Sequence, residues 1–317
     1  MTSTYASAVT TGVMSSYASA LRAAHEAAGA QNYPPGALYM VATPIGNLAD
    51  ITLRALHVLQ LADVVACEDT RHTQALLRAY GIDKSAAQLL AVHQHNEAQA
   101  AQAVIDRLGQ GQRVAYASDA GTPAISDPGA RLVAAVRLAN LVVVPLPGAS
   151  SVTAALSVAG LVDEGAQHGA FVFVGFLPSK STERAAAVAA LSVEARAMVL
   201  LEAPHRIEAL ATALATLGER RITIGRELTK QFEEIATVSA HTFPDWLRAD
   251  ANRCRGEFVL VLHPAAVAVE AGPEQRILKL LLAELPLKTA VKLTADITGA
   301  SRNALYDAAL AMKKEDA

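Results

Sequence analysis

The sequence predicts an α/β fold made of two consecutive α/β units and a small helical appendage. Three observations carry the prediction. From Ala37 onward, short Val- and Leu-rich runs alternate with amphipathic helical windows, the way parallel strands buried on both faces read. In the second half the strand windows are mixed, with EEIATVSAHTF (233–243) suited to an antiparallel pair. After Pro273 only helical windows remain.

The elements follow in order. The first unit, 37–160, opens with strand ALYMVAT, helix ITLRALHVLQ and strand ADVVACED. A helix over 70–80 leads to strand QLLAVH, and a helix over 96–108 leads to strand RVAYAS. SDAGTPAISDPG (118–129) comes next. Its Pro123 and Pro128 lack amide donors and restrict the residues before them, so it is a rigid loop rather than helix or ladder strand. Helix ARLVAAVRLA, strand LVVVPL and an apolar helix after Gly148 complete the unit. The second unit, 161–265, runs through FVFVGF, a helix after Ser181, AMVLLE, PHRIEALATALATL, RITIGREL, the antiparallel pair and EFVLVLHP. Phe171, Phe173 and Phe176 are expected to pack in a core or interface on at least one face.

AAVAVEAGPE, with Gly272 and Pro273, reads as a linker. The tail, 273–317, reads as three helices broken at Pro286 and Gly299, with Ser301 as an N-cap. Such helices suit either a helix-turn-helix or a small stabilising bundle. Residues 1–36, rich in Ser, Thr and Ala, read as a flexible extension with a short helix near 19–28.

Composition narrows the function classes. In 317 residues, 52% hydrophobic content and a mean hydropathy of +0.27 demand a test for membrane insertion. No uninterrupted apolar run reaches the roughly 18 residues that mark a membrane helix. No basic segment followed by a long apolar one marks a secretory signal. A net charge of −3 argues against nucleic-acid binding by bulk charge and leaves room for a local basic patch. Cys67 and Cys254 stand far apart without metal-like partners, so reduced thiols in a cytoplasmic protein, and no metal site, are expected.

Three loops built of small or turn-forming residues follow strands of the first unit: TPIGNL (43–48), SDAGTPAISDPG and PLPGASS (145–151). In an open parallel sheet, ligands bind beyond the carboxyl ends of the strands. Gly46, Gly121 and Gly148 are expected to let backbone approach a ligand. Thr43, Asp119, Thr122, Ser150 and Ser151 would fix its polar groups. There is no GxxxxGKS/T, no GxGxxG after the first strand and no HExxH. The site suits a cofactor that needs no phosphate cradle.

Nine stretches occur in order: TPIGNLADITLRAL, ACEDTRHT, HNE, SDAGTPAISDPG, VPLPGASSVTAAL, GFLPSK, HRIEAL, RELTKQFE and RGEFVLV. Together they resemble the ribosomal RNA small-subunit methyltransferase I family, of the tetrapyrrole-methylase superfamily, over residues 38–264, with a further likeness in NALYDAAL. The resemblance implies a two-domain tetrapyrrole-methylase-like fold, that of a class III methyltransferase using S-adenosyl-L-methionine (SAM) as methyl donor. The implied reaction is 2′-O-ribose methylation of a cytidine in the decoding region of 16S rRNA, within the small ribosomal subunit, by a homodimer. It also implies cofactor contacts from Thr43, Pro44 and Asn47, from Asp119, Ala120, Gly121 and Pro123, and from Pro147, Gly148 and Ser151. Glu202, Arg226 and Glu257 are added from the second unit. The chain departs from the family before His205–Arg206, where a Ser or Thr is common and Pro204 stands here.

ACEDTRHT sets Glu68, Asp69, Arg71 and His72 directly after the second strand, on the edge of the cofactor loops. A ribose hydroxyl is a weak acid, so Glu68 or Asp69 is expected to accept or relay its proton. Arg71 would bind a neighbouring phosphate. Beside this stands the plainer reading that Asp69 or Thr70 caps the next helix. Lys230 is expected either to lower the barrier electrostatically, to grip phosphate, or to be a solvated surface lysine. His72, His93 and His95 are expected near the RNA; the His93–His95 pair lacks the company a metal site needs. Asp127 is expected to end a turn and start a helix. Two rival functions keep parts of this picture: C-methylation of a tetrapyrrole precursor, and a non-catalytic SAM- and nucleic-acid-binding regulator.

Overall fold

The computed structural model describes residues 14–93, 96–127, 129–161, 169–265 and 273–315. The chain divides into two compact units, Met1–Pro264 and Ala265–Ala317.

In the larger unit, strands Ala37–Val41 (β1), Val64–Cys67 (β2), Leu89–Ala91 (β3), Val114–Ala117 (β4) and Val142–Leu146 (β5) form one sheet. Its order is β3-β2-β4-β1-β5 and every pair is parallel. The two-residue period of β1 feeds two cores. Tyr39 and Val41 pack with Leu56 and Leu59 of helix α2 (Leu53–Leu61) and Leu76 and Leu77 of α3 (Thr70–Ala79). Leu38 and Met40 pack with Val104 and Leu108 of α4 (Glu97–Gly109) and Leu132 and Val136 of α5 (Gly129–Leu138). Both faces are therefore covered, which is why these strands read as continuous apolar runs.

The second sheet holds Phe171–Gly175 (β6), Ala197–Glu202 (β7), Arg221–Arg226 (β8), Glu234–Ser239 (β9) and Phe258–Leu262 (β10), in the order β6-β7-β10-β8-β9. Only β6 and β7 are parallel; the 233–243 stretch pairs antiparallel with β8, as its pattern suggests. One face packs on helices Ser181–Leu191 (α7), Ile207–Leu214 (α8) and Phe243–Arg248 (α9), through residues such as Leu210, Leu214 and Phe243.

The other face is covered by the helix that the sequence assigns to the first unit. Ala155 of α6 (Ser151–Val158), with Ala159 just beyond it, packs on Val199, Val259 and Val261, together with Phe173. The boundary read at 160 thus falls behind a helix shared by both halves. Phe173 joins this core, while Phe171 and Phe176 stay exposed.

Residues 1–13 of the expected extension lie outside the described residues; the rest has the helix expected near 19–28, longer and packed rather than flexible. Helix α1 runs over Met14–Ala28 and buries Ala24 and Ala28 in the core of α2 and α3. Tyr17 meets the ring of Tyr80 edge-on at 5.2 Å. Alanines at this spacing on one face read as a polar tail in sequence, yet they allow close helix approach.

The smaller unit is three helices, Pro273–Glu284 (α10), Leu287–Thr298 (α11) and Arg302–Glu315 (α12). They close on Leu278, Ala290, Val291, Ala295, Leu305 and Ala309. Gly299 ends α11 in the left-handed conformation (φ 74°), the usual helix stop.

Ala24→Asp should lower stability by about 1–3 kcal/mol, since it buries an unpaired polar group. Ala23→Asp, on the exposed face of α1, should leave the melting temperature unchanged. Thermal unfolding of the two variants separates a packed helix from a frayed one.

Candidate active site

The loops after β1, β4 and β5 meet at the carboxyl edge of the first sheet. Thr43 N donates to Gly121 O and Gly121 N to Thr43 O, both at 3.0 Å. Thr43 Oγ1 donates to Ser118 O at 3.1 Å, and Ser118 Oγ to Gly121 O at 2.9 Å. Thr122 Oγ1 donates to Ala149 O at 3.0 Å, tying the second loop to the third. Gly121 holds φ 82°, a conformation that costs most residues energy and glycine little. Pro44, Gly121 and Pro123 are buried, whereas Asn47, Ala120, Pro147 and Gly148 lie at the open side. Ser151 begins α6 beside them. Asn47 accepts from Ala49 N at 3.0 Å and so caps a short turn.

An acidic pocket lies behind the second loop. Burial, and then the charges of Asp119 and Asp127, push the Glu68 carboxyl up to about 7. Asp119 N reaches Glu68 Oε1 at 3.5 Å, while Asp119 Oδ1 is buried without a hydrogen-bond partner. Asp127 Oδ1 accepts from Ala124 N at 2.7 Å and Gly129 N at 2.8 Å, so it closes the turn and starts α5 as expected. The fully buried Tyr116 hydroxyl also lacks a hydrogen-bond partner. Burial pushes the Cys67 thiol up to about 11, which keeps it protonated.

Asp69 differs from its neighbour. It is the N-cap of α3, accepting from Arg71 N at 2.8 Å, and its Oδ2 pairs with the exposed Arg71 guanidinium at 3.1 Å. The Arg71 side chain, then the amides, hold the Asp69 carboxyl down to about 2. The capping reading accounts for Asp69, and Glu68 is the carboxylate whose protonation changes near neutrality.

The second half meets this edge through residues 228–230. A side chain at Gly46 would lie 2.4 Å from Lys230 Cγ and 3.0 Å from Leu228 O. Similarly, one at Gly148 would lie 2.8 Å from Ala42 Cβ. The space a side chain would take at these two glycines is thus filled by protein, so what they can offer a ligand is backbone alone. Lys230 Nζ pairs with Glu227 at 2.8 Å and Glu257 at 3.0 Å. Burial pulls its pKa down, but the two carboxylates outweigh that and hold it above the ordinary value. Arg226 is buried and donates to Glu234 Oε2, Phe232 O and Arg255 O at 3.1, 3.2 and 3.4 Å. Glu227 (φ 52°) and Thr229 (φ 66°) are left-handed without being glycine, a strain of about 1–3 kcal/mol each. Glu202, at the end of β7, pairs with Arg206 Nε at 3.1 Å, and its Oε2 is buried without a hydrogen-bond partner.

His93 follows β3 on the same edge, where its amide donates to Asn96 Oδ1 at 2.8 Å; His95 lies outside the described residues. His72 lies in the first turn of α3.

A family profile described as Tetrapyrrole (Corrin/Porphyrin) Methylases matches residues 37–244, and one described as RsmI C-terminal HTH domain matches 268–313. Ribosomal RNA small subunit methyltransferase I of Neisseria meningitidis serogroup B is 50% identical over 284 residues, covering 88% of this chain and 95% of that protein. The protein of the same name from Escherichia coli O157:H7 is 47% identical over 279 residues, covering 87% and 95%. The chain belongs to the ribosomal RNA small subunit methyltransferase I family.

As a member of that family it is an enzyme of the methyltransferase class, and it has the tetrapyrrole-methylase fold that the motifs imply. A solved cobalt precorrin-4 methyltransferase of cobalamin biosynthesis superposes with TM-score 0.52 at 20% identity, over 73% of this chain and 98% of that one. Diphthine synthase superposes with TM-score 0.53 at 15% identity, over 72% and 90%. At such identities the likeness is one of fold.

Within this methyltransferase, Thr43, Glu68, Asp119 and Gly121 converge on one edge, and Lys230 reaches it from the other half through Gly46. Arg226 and Glu257 are instead engaged within the 227–233 loop and its ion pairs. Sequence reasoning missed Ser118, the Tyr116 hydroxyl and Thr229 Oγ1, the last buried without a hydrogen-bond partner. Thr229 sits inside RELTK, and nothing in that string announces a left-handed backbone.

Two outcomes follow from this geometry. Gly46→Ala forces the first loop off Leu228 and Lys230, and should cost about 1–3 kcal/mol of stability, measured by denaturant unfolding. Glu68 titrates at about 7 in the folded chain against an ordinary 4.5. Between those values the folded chain holds a proton that the unfolded chain has released, so stability falls as pH rises. Glu68→Gln should flatten that fall and raise stability above pH 7, read from melting temperatures across the window.

Proposed function

We propose that this methyltransferase transfers a methyl group from SAM to the 2′-hydroxyl of a cytidine in the decoding region of 16S rRNA. The observation that carries the reading is the Glu68 carboxyl, poised near neutrality beside the Asp119 loop. Relatives at 43–50% identity, named for methylation of small-subunit ribosomal RNA, support an RNA acceptor over a tetrapyrrole.

The residues present fit the cofactor. Asp119 Oδ1 and Thr229 Oγ1 are buried oxygens without protein hydrogen-bond partners, suited to amine and hydroxyl donors. The Asp119 carboxylate suits a cation. Thr43, Pro44 and Asn47, then Asp119, Ala120, Gly121 and Pro123, then Pro147, Gly148 and Ser151 would hold SAM, with Glu202 from the second half. Arg226 and Glu257 act through the loop that they brace. SAM, when bound, supplies an electrophilic methyl group on a sulfonium.

Glu68 takes the ribose hydroxyl proton as the oxygen becomes nucleophilic, a role worth about 10²–10⁴-fold. Asp69 holds the start of α3, and with it Arg71, which meets a neighbouring phosphate. Lys230, kept charged by Glu227 and Glu257, stabilises negative charge at the seam. His72, His93 and His95 belong to the RNA side. The enzyme acts in the cytoplasm as a homodimer on 16S rRNA of the small ribosomal subunit.

Small subunits from cells lacking the modification should take up labelled methyl at a single 2′-O-methylcytidine in the decoding region, mapped by nuclease digestion and mass spectrometry. Absence of label despite SAM binding would overturn the acceptor. Turnover should rise with pH to a plateau above about 7, as Glu68 loses its proton. Glu68→Gln should lose that inflection and about 10²–10⁴-fold in turnover while keeping SAM affinity.

A further inference from the structure

We propose that Phe232 is a stacking platform for one unpaired base of the RNA substrate, an inference that rests on the RNA-methyltransferase reading above. Phe232 is 68% exposed. It lies in the loop between β8 and β9, two residues after Lys230, whose side chain fills the space beside Gly46. The ring is thus presented from the loop that touches the first cofactor loop.

The loop is built to hold its shape. Buried Arg226 donates to the Phe232 carbonyl at 3.2 Å. Thr229 N donates to Glu233 Oε2 at 2.6 Å, Lys230 N to Glu227 O at 3.0 Å and Glu233 N to Lys230 O at 3.1 Å. Glu227 and Thr229 take left-handed backbone angles to make these turns. Non-glycine residues adopt such angles where the surroundings over-determine them, and such places concentrate at functional sites. Here the constrained segment keeps a large aromatic ring in water, against its hydrophobic preference.

The surroundings select the kind of partner. Gln231 and Glu233 on either side of Phe232 are exposed and polar, unlike the apolar centre of a subunit interface. Arg226, Lys230, Arg253 and Arg255 are matched by Glu227, Glu233, Glu234 and Glu257. A patch with balanced charge has little pull on phosphate. What it offers is a flat apolar face, and the matching ligand is the π-face of an unstacked base.

The test uses the full chain, with Phe232→Ala and Phe232→Trp. Affinity is measured by fluorescence anisotropy for a single-stranded oligoribonucleotide of the decoding region and for the same sequence in duplex. SAM affinity and sedimentation serve as controls. Phe232→Ala should bind the single strand about tenfold more weakly, with duplex affinity, SAM affinity, melting temperature and oligomeric state unchanged. Phe232→Trp should keep the affinity, and its added indole emission over wild type should be quenched by the single strand. Equal single-strand affinity in wild type and Phe232→Ala overturns the assignment alone. A changed oligomeric state in Phe232→Ala also overturns it and makes Phe232 a subunit contact. Wild type that binds neither RNA form overturns the platform, and small subunits that also take up no methyl overturn the RNA reading with it.

Discussion

Two reciprocal backbone hydrogen bonds between Thr43 and Gly121 join the loops that leave neighbouring strands β1 and β4. Parallel neighbours send their chains out of the sheet side by side, and their loops ordinarily diverge into separate crossovers. Here the loops pair antiparallel for one step before they part. That step needs the φ of 82° at Gly121, and the hydroxyls of Thr43 and Ser118 close it from both sides. Asp119 and Asp127 are placed as a consequence, since both belong to the loop that this pairing anchors. The pocket that holds Glu68 exists because that loop is pinned over the end of β2.

Electrostatics follows from that placement. Three carboxylates share a partly buried site, and burial together with mutual repulsion favours the protonated form of one of them. Glu68 takes that role because it is buried facing Asp119 and Asp127, whereas the amides of Ala124 and Gly129 oppose the rise at Asp127. Asp69, one residue on, points to the helix start and to Arg71, and stays ionised. Two adjacent acids thus receive opposite protonation behaviour from the direction of their side chains. On the other half, Lys230 is neutralised by Glu227 and Glu257, and Arg226 by Glu234. A net charge of −3 is compatible with an RNA substrate if recognition rests on shape and stacking, with phosphate contacts confined to exposed cations such as Arg71.

The two halves of the larger unit are held as one body by packing. Helix α6 leaves the first sheet and covers the back of the second, and Gly46 brings the first loop against Leu228 and Lys230. A site assembled across such a seam is sensitive to single methyl groups, because interiors are close-packed and a loop displaced by one side chain carries its neighbours with it.

Much of this was legible in the sequence for local reasons. Alternating apolar runs and helical windows reflect burial on both faces of a parallel sheet, so β1 to β5 and their helices show in one dimension. The glycine- and proline-rich loops show because backbone restrictions are local. The motifs carry the family because their order and spacing are themselves sequence. The rest depended on which distant segments touch. Alanines of α1 read as a polar extension until Ala24 meets α2, and nothing near Gly46 in the chain announces that Lys230 packs against it. Glu68 and Asp69 are indistinguishable acids in ACEDTRHT, and they part company only when one faces Asp119 and the other caps a helix. The sequence by itself determined the strands, the helices and the loops of the candidate site, because periodicity and backbone restriction act over a few residues. Only the tertiary structure decided which carboxylate holds a proton near neutrality and which glycine faces protein, because burial and charge sum over neighbours that the chain order does not reveal.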